Sequence, residues 1–147
     1  MPTAGKLCEF VQAAFQKRFI YGEYLQIVEL NAADAPESAD PVLRKTYQWG
    51  PLEPVATRIL AMSVFDETGT YVEDLYYTHD ALKNTTALFG IKAGRRALYE
   101  YGPYGNVLKM EGNAAGLNPF RFSSEYADDE LGLVYYNYRY YNPQNGR

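Results

Sequence analysis

The chain has 147 residues, enough for one domain with a hydrophobic core. Its net charge of −4 at pH 7 argues against a dedicated nucleic-acid binder, which normally carries a basic patch. No apolar run approaches the roughly 18 residues expected of a membrane-spanning helix, and the first residues lack the basic and apolar regions of a signal peptide.

Tyrosine dominates the aromatic residues, with 15 Tyr against 7 Phe and one Trp. On a pleated surface a tyrosine packs its ring while its hydroxyl stays hydrated or hydrogen-bonded, so this composition favours extensive β-sheet. Cys8 is the only cysteine. It cannot form an internal disulfide, and we expect it to be a buried small residue rather than a nucleophile.

The first regular pattern covers residues 6–18, KLCEFVQAAFQKR. Its apolar residues recur at i, i+3, i+4, i+7 and i+8, which is the spacing of one helix face. The residues concerned are Leu7, Phe10, Val11, Ala14 and Phe15. The spacing predicts a short N-terminal helix.

From residue 18 onward the pattern changes to short strands separated by turn signals. The predicted strands span 18–21, 24–30, 45–49, 56–65, 70–77, 84–91, 95–101 and 106–110. The Ala/Asp/Pro-rich segment 31–41 and residues 111–117 are predicted loops. Between two of the strands, Asp66-Glu67-Thr68-Gly69 is a good hairpin signal.

The last thirty residues, 118–147, hold six tyrosines and two phenylalanines. Two turn signals divide them, at 127–132 and at 142–146. Gly132 can adopt the positive φ that closes the first turn, so a hairpin is predicted there. Between the two signals, residues 133–141 are aromatic and contain no Gly or Pro, which predicts one strand.

This closing stretch resembles the core of the Rhs (rearrangement hotspot) proteins, the tyrosine/aspartate-repeat family. The family pattern runs roughly N-P-F-R-F-S-x-E-Y-x-D-x-E-x-G-L-x-Y-(Y/N)-x-x-R-Y-Y-(D/N)-P-x-x-G-R. It is met here by Asn118, Pro119, Phe120, Arg121, Phe122, Ser123, Glu125, Tyr126, Asp128, Glu130, Gly132, Leu133, Tyr135, Arg139, Tyr140, Tyr141, Pro143, Gly146 and Arg147. So many matches at fixed spacing make the resemblance specific.

A degenerate repeat of the same kind extends through the rest of the chain. An aromatic strand, a turn-forming residue and a return strand recur at 19–29, 46–56, 76–88, 99–108 and 138–147. The turn-forming residues are Gly22, Gly50, Asp80, Gly102 and Asn142. The best matches to the family's Y-D-x-x-G-N unit end in Lys83-Asn84 and Gly105-Asn106. Only the first keeps the aspartate, and its Lys83 replaces the usual glycine.

The resemblance covers roughly residues 18–147 and implies an all-β fold of antiparallel hairpin repeats. Rhs proteins wind such hairpins into a hollow shell that encloses a C-terminal toxin, and they are exported or surface proteins of bacteria. The implied partners are therefore the rest of such a shell and its toxin domain. A few repeats cannot close a shell, so we also expect self-association through unpaired sheet edges.

The resemblance also implies that this stretch is structural rather than catalytic. In the family an autoproteolytic site built on acidic residues follows the core, and this sequence stops short of it at Arg147. We therefore expect no enzyme activity and no cofactor or metal. His79 is the only histidine and has no triad partners in the sequence, and the acids Asp128, Asp129 and Glu130 are expected to form a solvated turn.

The alternative is a binding module that presents aromatic strands to carbohydrate or to a partner protein. In a continuous strand, alternation places two sets of side chains on opposite faces. One set is Val134, Tyr136, Tyr138 and Tyr140, and the other is Tyr135, Asn137, Arg139 and Tyr141. An exposed set of this kind would form a platform on which sugar rings stack.

Overall fold

The computed structural model describes residues 15–33, 40–51, 58–136 and 138–147, and it is all-β. The strands are β1 (Phe15–Gly22), β2 (Leu25–Ala33), β3 (Val42–Trp49), β4 (Ile59–Phe65), β5 (Tyr71–His79), β6 (Thr85–Gly90), β7 (Gly94–Tyr101), β8 (Val107–Glu111), β9 (Tyr126–Asp128), β10 (Leu133–Tyr136) and β11 (Arg139–Tyr141). Strands β1 to β8 form one sheet in their sequence order, and β11-β10-β9 form a second. The predicted fold class is confirmed.

The chain divides into two compact units. The first comprises Met62–Asp74 and the described residues up to Gln48, and the second comprises Trp49–Ala61 and Leu75–Arg147. Between β8 and β9 the second unit contains two short 3-10 turns, Ala115–Leu117 and Phe122–Ser124. No described segment is a helix long and apolar enough to cross a membrane.

In the first unit the buried face carries a charged residue. Glu29 on β2 is only 3% exposed. Its carboxylate accepts a hydrogen bond from the Tyr47 hydroxyl at 3.1 Å and lies 3.3 Å from the Lys45 amine on β3. Burial lowers the pKa of Lys45. Because the carboxylate has both a cation and a hydroxyl beside it, its burial between strands is compensated.

Three of the described hairpins turn through one backbone frame, at Asp66, Asp80 and Gly102. In each, the N–H of this first residue donates to the carbonyl four residues on, and its own carbonyl accepts the N–H three residues on. The residue that donates this last bond has positive φ, 81° at Gly69, 68° at Lys83 and 84° at Gly105. The shared frame makes residues 66–70 a repeat unit, whereas their sequence predicted only a hairpin.

The aspartates of this frame stabilise the turn itself. Oδ1 of Asp80 accepts the N–H groups of Leu82 at 2.8 Å and Asn84 at 3.0 Å. Oδ1 of Asp66 accepts the N–H groups of Thr68 and Thr70 at the same two distances. These contacts lower the pKa of Asp66, the hydroxyl of Thr68 contributing most. The predicted role of the aspartate position as a turn former is therefore borne out.

The predicted single strand over 133–141 is wrong. β10 ends at Tyr136 and pairs antiparallel with β11, with Tyr136 opposite Arg139. The backbone turns between them, where the Tyr138 N–H donates to the Tyr136 carbonyl. The turn forms without Gly or Pro because strand pairing on both sides compensates for a poor turn sequence.

The predicted helix over 6–18 lies mostly outside the described residues. Its last four residues belong to β1 and pair with the end of β2, with Phe15 opposite Ala33 and Arg18 opposite Leu30. The same pairing extends β2 to Ala33, into the predicted loop 31–41. Hydrogen bonding between the strands overrides a local apolar spacing that also fits a helix.

Lys83→Gly is expected to raise the free energy of unfolding by about 1 kcal/mol, because glycine adopts positive φ without the steric cost borne by a side chain. Chemical denaturation of the wild type and the variant measures the difference. Lys92→Gly is the matched control, since Lys92 lies in the exposed turn between β6 and β7 without a positive φ. Equal effects at the two lysines would contradict the assignment of strain to Lys83.

Candidate functional site

Residues 112–126, the closing segment, follow β8 and run across one face of the second unit's sheet. The segment starts at Gly112, where the Ala114 N–H donates to the Arg96 carbonyl on β7 at 3.1 Å. Gly112 has a φ of 102°, and a Cβ there would overlap that carbonyl. Only glycine lets the chain pass this close to β7 and begin its crossing.

Three tyrosine hydroxyls donate hydrogen bonds where the closing segment crosses the sheet. Tyr99 and Tyr101 lie two residues apart on β7 and so share a face, and Tyr77 lies on β5. Tyr77 donates to Asn118 Oδ1 at 2.8 Å, Tyr99 to the Ala115 carbonyl at 2.7 Å and Tyr101 to the Thr85 carbonyl at 2.7 Å. Burial raises the pKa of Tyr99 and Tyr101, so both phenols stay protonated donors at neutral pH.

Asn118 is the centre of the crossing and is fully buried. Besides the Tyr77 hydroxyl, its Oδ1 accepts the Phe120 N–H at 2.8 Å, and its Nδ2 donates to the Phe120 carbonyl at 2.9 Å. That carbonyl also accepts the Thr85 hydroxyl at 2.9 Å. The Thr85 N–H in turn donates to the Arg121 carbonyl at 2.9 Å. The Asn118 side chain therefore hydrogen-bonds both backbone groups of Phe120.

Arg121 links the closing segment to the turn after β9. Its side chain is buried, and its Nε donates to the Asn118 carbonyl at 3.0 Å. Its two terminal nitrogens bind the two carboxylate oxygens of Asp129 at 2.7 and 2.8 Å. This bidentate geometry is the strong form of an arginine–carboxylate pair. Asp129 thus lies in the predicted turn, where its side chain is 69% exposed, and is also the ion-pair partner of Arg121.

Asn84 joins the Asp80 turn to the closing segment. Its Nδ2 donates to Asp80 Oδ2 at 2.8 Å, and its Oδ1 accepts the Ser123 N–H at 2.8 Å. Next to it, the Ser124 hydroxyl donates to the Lys83 carbonyl at 2.8 Å. Ser123 and Ser124 both have a φ of 57°, a left-handed conformation that these contacts hold in place.

Phe122 packs on the turn between β7 and β8. Gly105 lies directly beneath its ring, and a Cβ at that glycine would overlap the ring atoms. Phe122 also stacks on Tyr141, with ring centroids 6.0 Å apart and an interplanar angle of 17°. The Tyr141 hydroxyl donates to the Tyr104 carbonyl at 2.8 Å. Glycine is therefore required at position 105 for two reasons: its φ is positive, and a side chain there would overlap the Phe122 ring.

Phe120 fills the apolar side of the crossing. It packs edge-to-face against Trp49, with centroids 5.0 Å apart, and against Tyr126 at 5.8 Å. The neighbouring Pro119 is buried, and its carbonyl accepts the Ala127 N–H at 2.7 Å. Glu125 is partly buried, and burial raises the pKa of its carboxyl from 4.5 to about 7.

The remaining motif residues form the second sheet and its turns. Asp128 Oδ1 accepts the N–H groups of Glu130 and Leu131 at 3.0 Å, and Gly132 has a φ of 64°, so the predicted hairpin turn is present. The exposed residues of this group are Glu130, Arg139, Tyr140 and Arg147, the partly buried ones are Leu133, Tyr135, Tyr141 and Gly146, and Pro143 is buried.

The aromatic platform expected from strict alternation is not formed. Tyr136 packs edge-to-face against Tyr141 across the hairpin at 6.1 Å and is partly buried, whereas Tyr138 at the turn is 95% exposed. Tyr135 and Tyr140 pair their rings at 5.3 Å. The tyrosines of 135–141 are therefore divided between the two strands and the turn, instead of lining one face.

The structure brings some predicted residues together and adds others. Asn84, Asn118, Arg121 and the pair Gly105–Phe122 all meet around the closing segment. The roles of six further residues were not predicted from the sequence: Tyr77, Thr85, Tyr99, Tyr101, Ser124 and Asp129. The one available signal was the Tyr-Glu-Tyr alternation at 99–101, which places two hydroxyls on one face.

These contacts hold the closing segment on the sheet, and the polar side chains described above form the hydrogen bonds that do this. His79 stacks on Tyr77 with centroids 6.2 Å apart. The Asp80 carboxylate binds its own turn. Within the described ranges no group of three or more His, Cys, Asp or Glu side chains could hold a metal ion.

The fold is similar to that of chains in toxin complexes. The chain matches a chain of the TcdB2–TccC3 crystal structure (TM-score 0.66, 21% identity), one of TcdB2–TccC3–Cdc42 (0.69, 20%) and one of a Photorhabdus luminescens Tc holotoxin pore (0.64, 19%). These alignments cover 96, 96 and 93% of this chain but only 7, 7 and 6% of the others. No protein-family profile and no curated protein matches the chain. The likeness confirms the hairpin-sheet fold that the Rhs resemblance implies.

Arg121→Met is expected to lower the free energy of unfolding by about 3 kcal/mol, because it removes the partner of Asp129 and the donor to Asn118. Asp129→Asn is expected to cost about 1 kcal/mol, since the Asp129 carboxylate is mostly exposed. Urea denaturation measures both. Glu130→Gln, at the exposed neighbouring acid, is the control and is expected to be neutral. An equal cost at Asp129 and Glu130 would refute the ion-pair role.

The stability of the folded chain is expected to fall as the pH rises from about 4.5 to about 7. Folded Glu125 keeps its proton to about pH 7, whereas the unfolded chain loses it near the ordinary pKa of 4.5. Ionisation in this interval therefore favours the unfolded state. The measurement is the melting temperature as a function of pH. The Glu125→Gln variant is expected not to show the decline, whereas the control Glu67→Gln, at an exposed turn residue, is expected to show it. An unchanged decline in Glu125→Gln would show that other groups cause it.

Proposed function

We propose that this chain is a structural segment of an Rhs-type shell that encloses a toxin domain, without catalytic activity of its own. The observation that carries the proposal is the fold, which aligns over 96% of the chain with a chain of TcdB2–TccC3. Because the chain spans about 7% of that solved chain, it would form a small part of a larger wall. The motif shared with Rhs cores, residues 118–147, supports the same assignment.

The strand order suits a wall that is extended by repetition. Strands β1 to β8 lie side by side in sequence order, so each further hairpin would add its strands at an edge without crossing those already present. Three of the hairpin turns share one set of main-chain hydrogen bonds, so each added hairpin can use the same turn geometry. A sheet built in this way grows in one direction, as repeat proteins do.

The closing segment gives this stretch of wall a covered face. A hairpin sheet buries its apolar side chains only if something lies over them. Here Phe120 and Asn118 do so, and the hydroxyls of Tyr77 and Tyr99 fix the segment's position. We propose that the polar residues of the closing segment serve this attachment, which is why no catalytic set is assigned to them.

The remaining parts of the proposal concern the larger protein. Its partners would be the other shell repeats and the enclosed toxin, and it would be exported by a bacterium, in keeping with the Tc holotoxin among its structural neighbours. The sequence of the DNA on both sides of the reading frame tests this directly. Further tyrosine-rich repeats before residue 1 and a domain of different composition after residue 147 are expected. If neither is encoded, the shell role of this chain fails.

In the longer protein the enclosed domain is expected to resist protease, and Arg121→Met is expected to expose it by releasing the closing segment. The measurement is the rate at which trypsin cleaves the enclosed domain, scored by intact mass. Arg95→Met is the control, because Arg95 is an exposed arginine on the same sheet and its loss also removes one trypsin site. Rapid cleavage of the wild type, or equal protection in both variants, would contradict enclosure by this segment.

A further inference from the structure

β8 is the outermost strand of the eight-stranded sheet at the end of the strand order. It pairs with β7 on one side, and all five of its residues, Val107–Glu111, are exposed. Leu108 is 67% and Met110 47% exposed. No described strand pairs with its other side. An exposed edge with apolar side chains is a template for pairing with another strand.

Two features of β8 normally oppose such pairing. One is the irregularity in its register with β7, where Tyr101 lies opposite Val107 and Glu100 opposite Lys109. The other is Lys109, since a lysine on an edge strand repels an identical edge. The irregularity lies at the start of the strand, however, and leaves residues 109–111 in regular register. Lys109 also has an acid two residues away, and its amine lies 3.1 Å from Glu111.

The order of these charges selects a partner. Consider two identical strands that pair antiparallel about a twofold axis normal to the sheet. Residues directly opposite one another project from the same face of the sheet, and side chains alternate between the faces along each strand. These two conditions are met together only if one residue of the strand lies opposite the same residue of the other copy. If Met110 is that residue, Lys109 of each copy faces Glu111 of the other, which gives two attractive cross-strand pairs. The register about Lys109 opposes two lysines and the register about Glu111 opposes two glutamates. Like charges directly opposite are destabilising.

We propose that β8 is a self-recognition edge at which two copies of this chain join their sheets antiparallel, with Met110 at the twofold axis. The cation–anion pairs lie on one face of the joined sheet. There Glu100 of β7, 3.7 Å from Lys109, extends them into a row of alternating charge. On the other face Met110 packs against its own copy beside Tyr99, which lies opposite it on β7. The occupant of this edge is a second copy because its charges complement themselves.

Sedimentation of the whole chain at increasing concentration tests the proposal through charge reversal. Lys109→Glu places acids opposite one another and is expected to raise the dimer dissociation constant about tenfold or more. The double variant Lys109→Glu with Glu111→Lys exchanges the two charges and is expected to restore the wild-type constant. Lys92→Glu is the matched control, an exposed lysine away from β8, and is expected to change nothing. Added salt is expected to weaken the wild-type dimer.

A disulfide test fixes the register. In a Cys8→Ser background, Met110→Cys is expected to form a covalent dimer on oxidation, because opposed Cα atoms lie within disulfide range. Leu108→Cys is the control: it faces Gly112 of the other copy and is expected to cross-link much more slowly. Equal cross-linking at both positions would overturn the register. A monomer at every concentration would overturn the proposal and indicate that β8 pairs instead with a strand of a longer polypeptide. If the double variant fails to restore dimerisation, the dimer forms through another edge.

Discussion

An irregular segment that lies on a sheet must have its peptide groups hydrogen-bonded, and the second unit depends on meeting that constraint. Regular strands satisfy their N–H and C=O groups through their neighbours, whereas residues 112–126 cross those strands and form no continuous ladder with them, only separate main-chain bonds such as that of the Ala114 N–H to the Arg96 carbonyl. Side chains satisfy further peptide groups of the segment. Asn118 serves both backbone groups of Phe120, Tyr99 serves Ala115, and Arg121 serves Asn118. Tyrosine suits this role at positions 77 and 99, because phenylalanine would fill the same space without donating a hydrogen bond.

The hairpin turns solve a more local problem, and they solve it in more than one way. Asp66 and Asp80 use a carboxylate to collect the turn's N–H groups, whereas Gly102 keeps the same main-chain bonds without one. The left-handed position accepts Gly69, Gly105 or Lys83. The frame therefore resides in the backbone, and side chains adjust its stability. This explains how a repeat can become hard to recognise in sequence while its geometry persists.

The parts of the fold that the sequence predicted are those governed by residues near one another in the chain. The turn at Asp66 and the turn after Asp128 depend on contacts within four residues, and the strands were predicted from the β-favouring residues between turn signals. The site could not be predicted in this way, because Tyr77 meets Asn118 from 41 residues away and Asn84 meets Ser123 from 39. The break between Tyr136 and Arg139 was missed for a related reason: strand pairing, not a turn residue, creates it.

The position of Asn84 has a consequence for making the chain in a host that adds N-linked glycans. Asn84-Thr85-Thr86 is an acceptor sequence for N-linked glycans. In the folded chain the Asn84 side chain is 6% exposed and its amide nitrogen is bonded to Asp80, so the acceptor atom is inaccessible. A glycan added before folding would occupy that nitrogen and keep the side chain out of the space between the Asp80 turn and Ser123. Secretion through a glycosylating pathway therefore sets sugar transfer and folding of this hairpin in direct competition.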